Sequence, residues 1–250
     1  MNRAKKVFTT TLSKAKASGL TLASTDYQPG SHAIGTVHHS NPVAKTTRKK
    51  ARKITAKTSK VYRVNTGSQI VILHHDQPQF SKATLSLRHG AWQSYGKLDS
   101  LMRDTTANAM LNKRLMPSAA RLPLYVDPTG WHNKKAHGTW LYNRCHLIGY
   151  QLTGQNNNLR NLITGTRSLN DPCMTRYENP VAHYLRESSH HYIRYLVRPV
   201  FKGNDLLASG VQMEGKSVGS NKIHFDVYIK NVQPGFVINY STGTSKAVNY

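Results

Sequence analysis

Arg144 and His146 stand one residue apart in the stretch Asn143–Asn170, NRCHLIGYQLTGQNNNLRNLITGTRSLN, which holds six asparagines, three arginines, one histidine and no carboxylate. In a strand, residues i and i+2 point to the same face, so the guanidinium and the imidazole would share it while Cys145 turns away. A positive charge beside an imidazole depresses its pKa and keeps it neutral, able to accept a proton. The same guanidinium can hold a phosphate through two parallel hydrogen bonds. Amide oxygens are hard, neutral donors that could hold a hydrated Mg²⁺ together with a substrate phosphate. An activated water, a cation for charge building on phosphoryl oxygens and help for the leaving oxygen are what phosphodiester hydrolysis requires. Taken alone the triplet is a weak signal, because the chain carries 13 histidines. Asn156, Asn157 and Asn158 read more simply as a polar loop.

These side chains need a scaffold, and the pattern of apolar residues outlines one. Gly138–Leu152, GTWLYNRCHLIGYQL, suits one or two buried strands with the Arg-x-His triplet at a strand end. NLITGTRSLN then reads as a strand passing into a helix, and PVAHYLRES places Pro180 at a first helical position. HYIRYLVRPVF, DLLASGVQME and KIHFDVYIKNV alternate apolar and polar residues between short turns, as three antiparallel strands do. Upstream, SQIVILHH predicts a strand, and the three- and four-residue spacing in Ser100–Met116 predicts an amphipathic helix. RLPLYVDPTGW, with Pro123, Pro128 and Gly130, is largely loop.

The 250 residues, 38% of them hydrophobic, can bury the core of one ordinary domain. Residues 62–250 have the texture of that domain, whereas residues 1–61 are rich in Thr, Ser, Ala and Lys and read as a basic, flexible tail. Within the tail, Lys45–Arg63 carries nine basic residues and no acid, so that Lys49, Lys50, Arg52 and Lys53 are candidates for phosphate contact. Thirty-five Lys and Arg against 11 Asp and Glu give a net charge of +24, a field that captures polyanions, nucleic acid first among them. Charge does not decide between an enzyme and a binder. Cys145 and Cys173 form no C-x-x-C pair, which excludes a zinc knuckle and a disulfide-dense scaffold, though the two could pair with each other. No apolar run approaches the roughly 20 residues of a membrane span. The opening MNRAKKVFTTTLSKAKASGLTLAS is basic, but Thr, Ser and Lys break its apolar stretch, and it is not read as a signal peptide.

Four spaced positions bring these residues together. Asn143-Arg144-Cys145-His146 is followed by Asn161, by Asn170 nine residues later and by Glu178 a further eight on. This resembles the DNA/RNA non-specific endonuclease family of ββα-metal nucleases, in its extracellular, streptodornase-like branch, with the likeness running from about Asn65 to Ser245. The resemblance implies an α+β fold in which a central antiparallel sheet carries flanking helices, here with a basic N-terminal tail. It implies a Mg²⁺-dependent, sequence-non-specific endonuclease cutting DNA and also RNA, with Mn²⁺ a candidate substitute and a secreted or cell-surface location. His146 would be the general base, Asn170 the metal ligand and Arg144 a phosphate contact. Asn161 would orient the histidine or its loop, and Glu178 would hold the metal's water shell. Arg160 and Arg167 are further candidates for nucleic-acid contact. Two positions depart from the family pattern: Asn143 stands where the family has Asp, beside the metal rather than on it, and Cys145 where it has Gly. Cys145 must then sit in ordinary strand geometry, since it cannot take positive φ cheaply. The rival reading is a non-catalytic nucleic-acid-binding protein on a decayed nuclease fold.

Overall fold

The computed structural model describes residues 68–136 and 138–248. The basic tail, with Lys49, Lys50, Arg52 and Lys53, lies outside the described residues.

Six antiparallel strands form the main sheet. They are β1 (Ile70–Ile72), β2 (Trp92–Tyr95), β3 (Ala107–Leu111), β8 (Ile193–Val200), β9 (Gly210–Ser217) and β10 (His224–Lys230), in the order β1-β10-β9-β8-β3-β2. Alternation builds its buried face. Ile193, Tyr195 and Val197 of β8, Val211 and Met213 of β9, and Val227 and Ile229 of β10 are fully buried. Pro199 is tolerated in the central strand β8 because β3 pairs only with Ile193–Val197, so the missing N–H lies beyond the end of that ladder.

Four short strands, β4 (Lys135–Ala136), β5 (Thr139–Trp140), β6 (Tyr142–His146) and β7 (Leu162–Thr166), stand apart from the main sheet. β4 pairs with β5, and β6 pairs antiparallel with β7. The short helix α1 (Tyr150–Thr153) lies between β6 and β7. After β7 a π-helical turn, Leu169–Met174, kinks at Asp171 (φ −143°, ψ 121°) before helix α2 (Thr175–Glu187) begins. Val181, Ala182 and Leu185 of α2 pack into the same core as Cys145, Leu147, Ile148 and the sheet residues named above. A smaller cluster of Leu141, Tyr142, Leu207, Phe236, Ile238 and Tyr240 packs with Trp131 beside the pair β11 (Phe236–Ile238) and β12 (Ser245–Ala247).

The expected triplet of antiparallel strands near the C-terminus is present as β8, β9 and β10. The helix expected over Ser100–Met116 is absent: that segment is a turn followed by β3, a strand inserted between β2 and β8. The Asp99 side chain accepts from the backbone N–H groups of Leu101 and Arg103, both at 2.9 Å, and closes a turn where a helix would have started. Buried Asn112 ends the strand by donating to the carbonyls of Ser189 and His191. Pro180 does not open a helix. It sits sixth in α2, because the preceding turn already sets the helix going at Thr175.

Candidate active site

β6 contributes Tyr142, Asn143 and Arg144 to a cleft of about 690 Å³ that is also lined by Arg121, Leu124, Trp131, Asn133, Trp140 and Asn170, whereas His146 is not among the lining residues. Two arginines and no carboxylate line it. Arg144 is braced on three sides. Its Nε donates to the Val126 carbonyl at 2.9 Å, its Nη2 donates to Asp127 Oδ1 at 2.5 Å, and its guanidinium stacks 4.6 Å from the Trp131 ring centroid. Nη1 makes no hydrogen bond among the described residues, so one edge of the fork stays available.

His146, two residues along the same strand, is buried, with 6% of its surface exposed. Its Nε2–H donates to the Asn156 backbone carbonyl at 2.8 Å. A carbonyl can only accept, so this contact puts the ring proton on Nε2 and leaves Nδ1 as the lone-pair nitrogen. Burial pulls the imidazole pKa down to about 4, with the Arg121 charge adding to that direction. The ring is therefore neutral at pH 7.

The loop after His146 is held from below. Asn161, fully buried, grips the Ile148 peptide on both sides: its Oδ1 accepts from the Ile148 N–H at 2.9 Å and its Nδ2 donates to the Ile148 carbonyl at 3.0 Å. Its contacts are those of a loop anchor. Glu178, from the first turn of α2, accepts the Gly149 N–H at 3.1 Å, and burial pushes its carboxyl up to about 7. The bare Gly149 leaves room for this carboxylate: a Cβ there would meet Glu178 Oε2 at 2.7 Å, and the side chain would have to shift. Glu178 stands behind the loop and does not line the cleft.

Asn143 and Asn170 share the cleft wall with Arg144, and neither side chain has a hydrogen-bond partner among the described residues. No group of three or more His, Cys, Asp or Glu side chains gathers into a metal site among the described residues. Two unengaged amide oxygens beside a free guanidinium edge fit a hard cation that keeps most of its waters and shares a phosphate, and they do not fit a metal held by the protein alone. Arg160 and Arg167 are exposed and lie outside the cleft lining.

Cys145 points into the core, where its Sγ lies 3.4 Å from Met174 Sδ, and burial pushes the thiol pKa up. It has ordinary strand geometry: outside glycine, positive φ among the described residues occurs at His74, His75, Asp76 and Met102. Cys145 and Cys173 are both free thiols.

The chain belongs to the DNA/RNA non-specific endonuclease family, whose model matches residues 85–219, more than half of the sequence and every cleft residue named above. It is a metal-dependent nuclease acting on nucleic acid. Among solved structures it is similar to NucA from Streptococcus agalactiae with a magnesium ion bound, at 25% identity and a TM-score of 0.64, covering 72% of this chain and 87% of that one. NucA with no metal bound superposes equally well, with a TM-score of 0.63. Sda1 nuclease with bound zinc ion shares the fold at 24% identity and a TM-score of 0.57, covering 63% of this chain and 82% of the other.

Arg121 escaped the sequence reading. It makes no hydrogen bond or ion pair among the described residues, it lines the nuclease cleft, and its charge reaches both His146 and Glu178. In sequence it is one of 35 Lys and Arg residues, with no spacing to mark it. The polar-loop reading of Asn156–Asn158 also hid work. Asn157 accepts from the Tyr125 N–H and donates to the Pro123 carbonyl, pinning the loop that carries Arg121 and Asp127. Asn158 caps the turn that leads to Asn161.

Proposed function

We propose that this nuclease hydrolyses DNA, and RNA as well, without sequence preference, with His146 Nδ1 as the general base and Mg²⁺ as the working metal. The hydrogen bond from His146 Nε2 to the Asn156 carbonyl carries this reading, because it leaves Nδ1 unprotonated on the strand whose Arg144 lines the cationic cleft. A water hydrogen-bonded to Nδ1 gives up its proton as its oxygen attacks phosphorus, and the bond from phosphorus to the leaving oxygen breaks. Arg121 and the free edge of Arg144 hold the non-bridging oxygens as their charge rises. Asn170, with Asn143 beside it, would hold the ion. When bound, Mg²⁺ supplies a Lewis acid for the phosphate and a stabiliser for the leaving oxygen. Asn161 and Glu178 keep the 147–149 loop in place beneath the base. The magnesium bound in NucA supports the choice of metal. Among the described residues the cleft lining carries no base-reading element, which supports low sequence preference.

The resemblance to extracellular nucleases extends the reading to action outside the cell. Among the described residues no helix is long and apolar enough to cross a membrane.

The deciding experiment follows nicking of supercoiled plasmid by the wild type and His146→Ala, with Mg²⁺ and with chelator. Wild-type cutting that stops with chelator, together with a loss of about 10²–10⁴ in His146→Ala at nearly unchanged DNA affinity, is the expected result. Equal rates for the two proteins would sink the assignment of the base. DNA binding with no cutting at all would favour the decayed-nuclease reading.

A further inference from the structure

Phosphate chemistry makes no use of Trp140. This residue ends β5, lines the cleft beside Asn143 and Arg144, and leaves 51% of its surface open to solvent. The other cleft tryptophan is already occupied: Trp131 carries the Arg144 guanidinium on its ring and packs against the smaller apolar cluster. Trp140 is steadied by Lys135, its partner across the β4–β5 pair, whose Nζ lies 5.5 Å from the ring centroid. Leu124 adds apolar surface to the same cleft. A large aromatic ring held exposed inside a cationic cleft is a platform for a flat apolar group on a polyanion. In an intact duplex every base face is covered by its neighbours, so only an unpaired base can offer one.

We propose that Trp140 stacks on an unpaired base of the bound strand, so that the cleft grips single-stranded segments more tightly than duplex of the same sequence. The inference rests on the nuclease reading above and names its substrate form. The strand's phosphates lie against Arg121 and Arg144, and its base turns to the Trp140 ring.

The test measures binding in chelator, where nothing is cut, of a fluorescently labelled single strand, a duplex of the same sequence and an abasic strand of the same length. For the wild type the single strand should bind more tightly than the duplex. Trp140→Ala should lose about tenfold on the single strand, little on the duplex and little on the abasic strand. Trp140→Phe should keep most of the single-strand affinity, and Trp140→Leu, which keeps apolar area without the π-face, should not. The four proteins are compared only after matching melting curves, and if Trp140→Ala is unfolded the Phe and Leu pair decides. Equal losses on single strand and duplex, or an undiminished effect on the abasic strand, would overturn the proposal. Plasmid cutting by the wild type with Mg²⁺ is scored alongside. Cutting with unaltered strand selectivity in the variants removes the stacking role alone, whereas absence of cutting removes the nuclease reading and leaves the binding data to stand.

Discussion

Cys145 of β6 and Gly165 of β7 occupy one space: a Cβ at Gly165 would lie 2.6 Å from the Cys145 Cβ and 3.1 Å from its Sγ. The thiol therefore fills the room that the bare glycine leaves. Gly165→Ala should destabilise the protein by about 1–3 kcal/mol through overpacking. Cys145→Gly should cost about 1–2 kcal/mol through lost packing and added chain freedom. The double variant should cost clearly less than the two together, because removing the thiol makes room for the new methyl. Urea unfolding of the four proteins checks this, and strict additivity would show that the two residues do not share space.

His146 predicts a pH signature. Its pKa in the folded protein, about 4, lies below its value in an unfolded chain, about 6.5. Protonation of this group thus favours unfolding, so the stability that depends on His146 is whole above pH 6.5 and declines as the pH falls from there towards 4. Over that window the wild type should lose up to about 3 kcal/mol more than His146→Asn, which cannot titrate. In turnover at saturating substrate the acid limb should appear near pH 4, not near 6.5. Thermal melts and pH–rate profiles measure the two effects separately.

The amide pair predicts a gain of function. Asn170→Ala should lose most turnover, because it removes the proposed ligand. Asn143→Asp puts a carboxylate on the cleft wall beside Asn170. It should lower the Mg²⁺ concentration for half-maximal rate, because two neutral amides offset little of the ion's dehydration cost. A metal requirement that stays the same or rises in Asn143→Asp would place Asn143 away from the ion.

The basic run Lys45–Arg63 predicts a salt effect. Deleting Met1–Lys60 should flatten the dependence of DNA binding on salt and leave turnover at saturating substrate nearly unchanged, since phosphate contacts release counterions wherever they are made. Equal salt slopes for the full-length and shortened proteins would reduce the run to a linker.

The sequence alone determined the strands β8, β9 and β10, because their alternation is written residue by residue and needs no distant partner to be read. The spacing of Asn143, Arg144, His146, Asn161, Asn170 and Glu178 was also legible, as a likeness to the family pattern, because intervals along the chain need no fold to be counted. Tertiary structure decided what those residues touch. The segment Ala107–Leu111 became a strand because β2 and β8 offered it two ladders, and its helical spacing could not compete. Asp127 reached Arg144, and Arg121 reached the cleft, through a loop whose fold is pinned by Asn157 from more than 30 residues away. The proton on His146 is placed by a backbone carbonyl, a group that every residue carries and that no sequence pattern can mark. Chain-distant and main-chain contacts have no signature in residue type, and in this protein they set the protonation of His146 and the charge in the cleft.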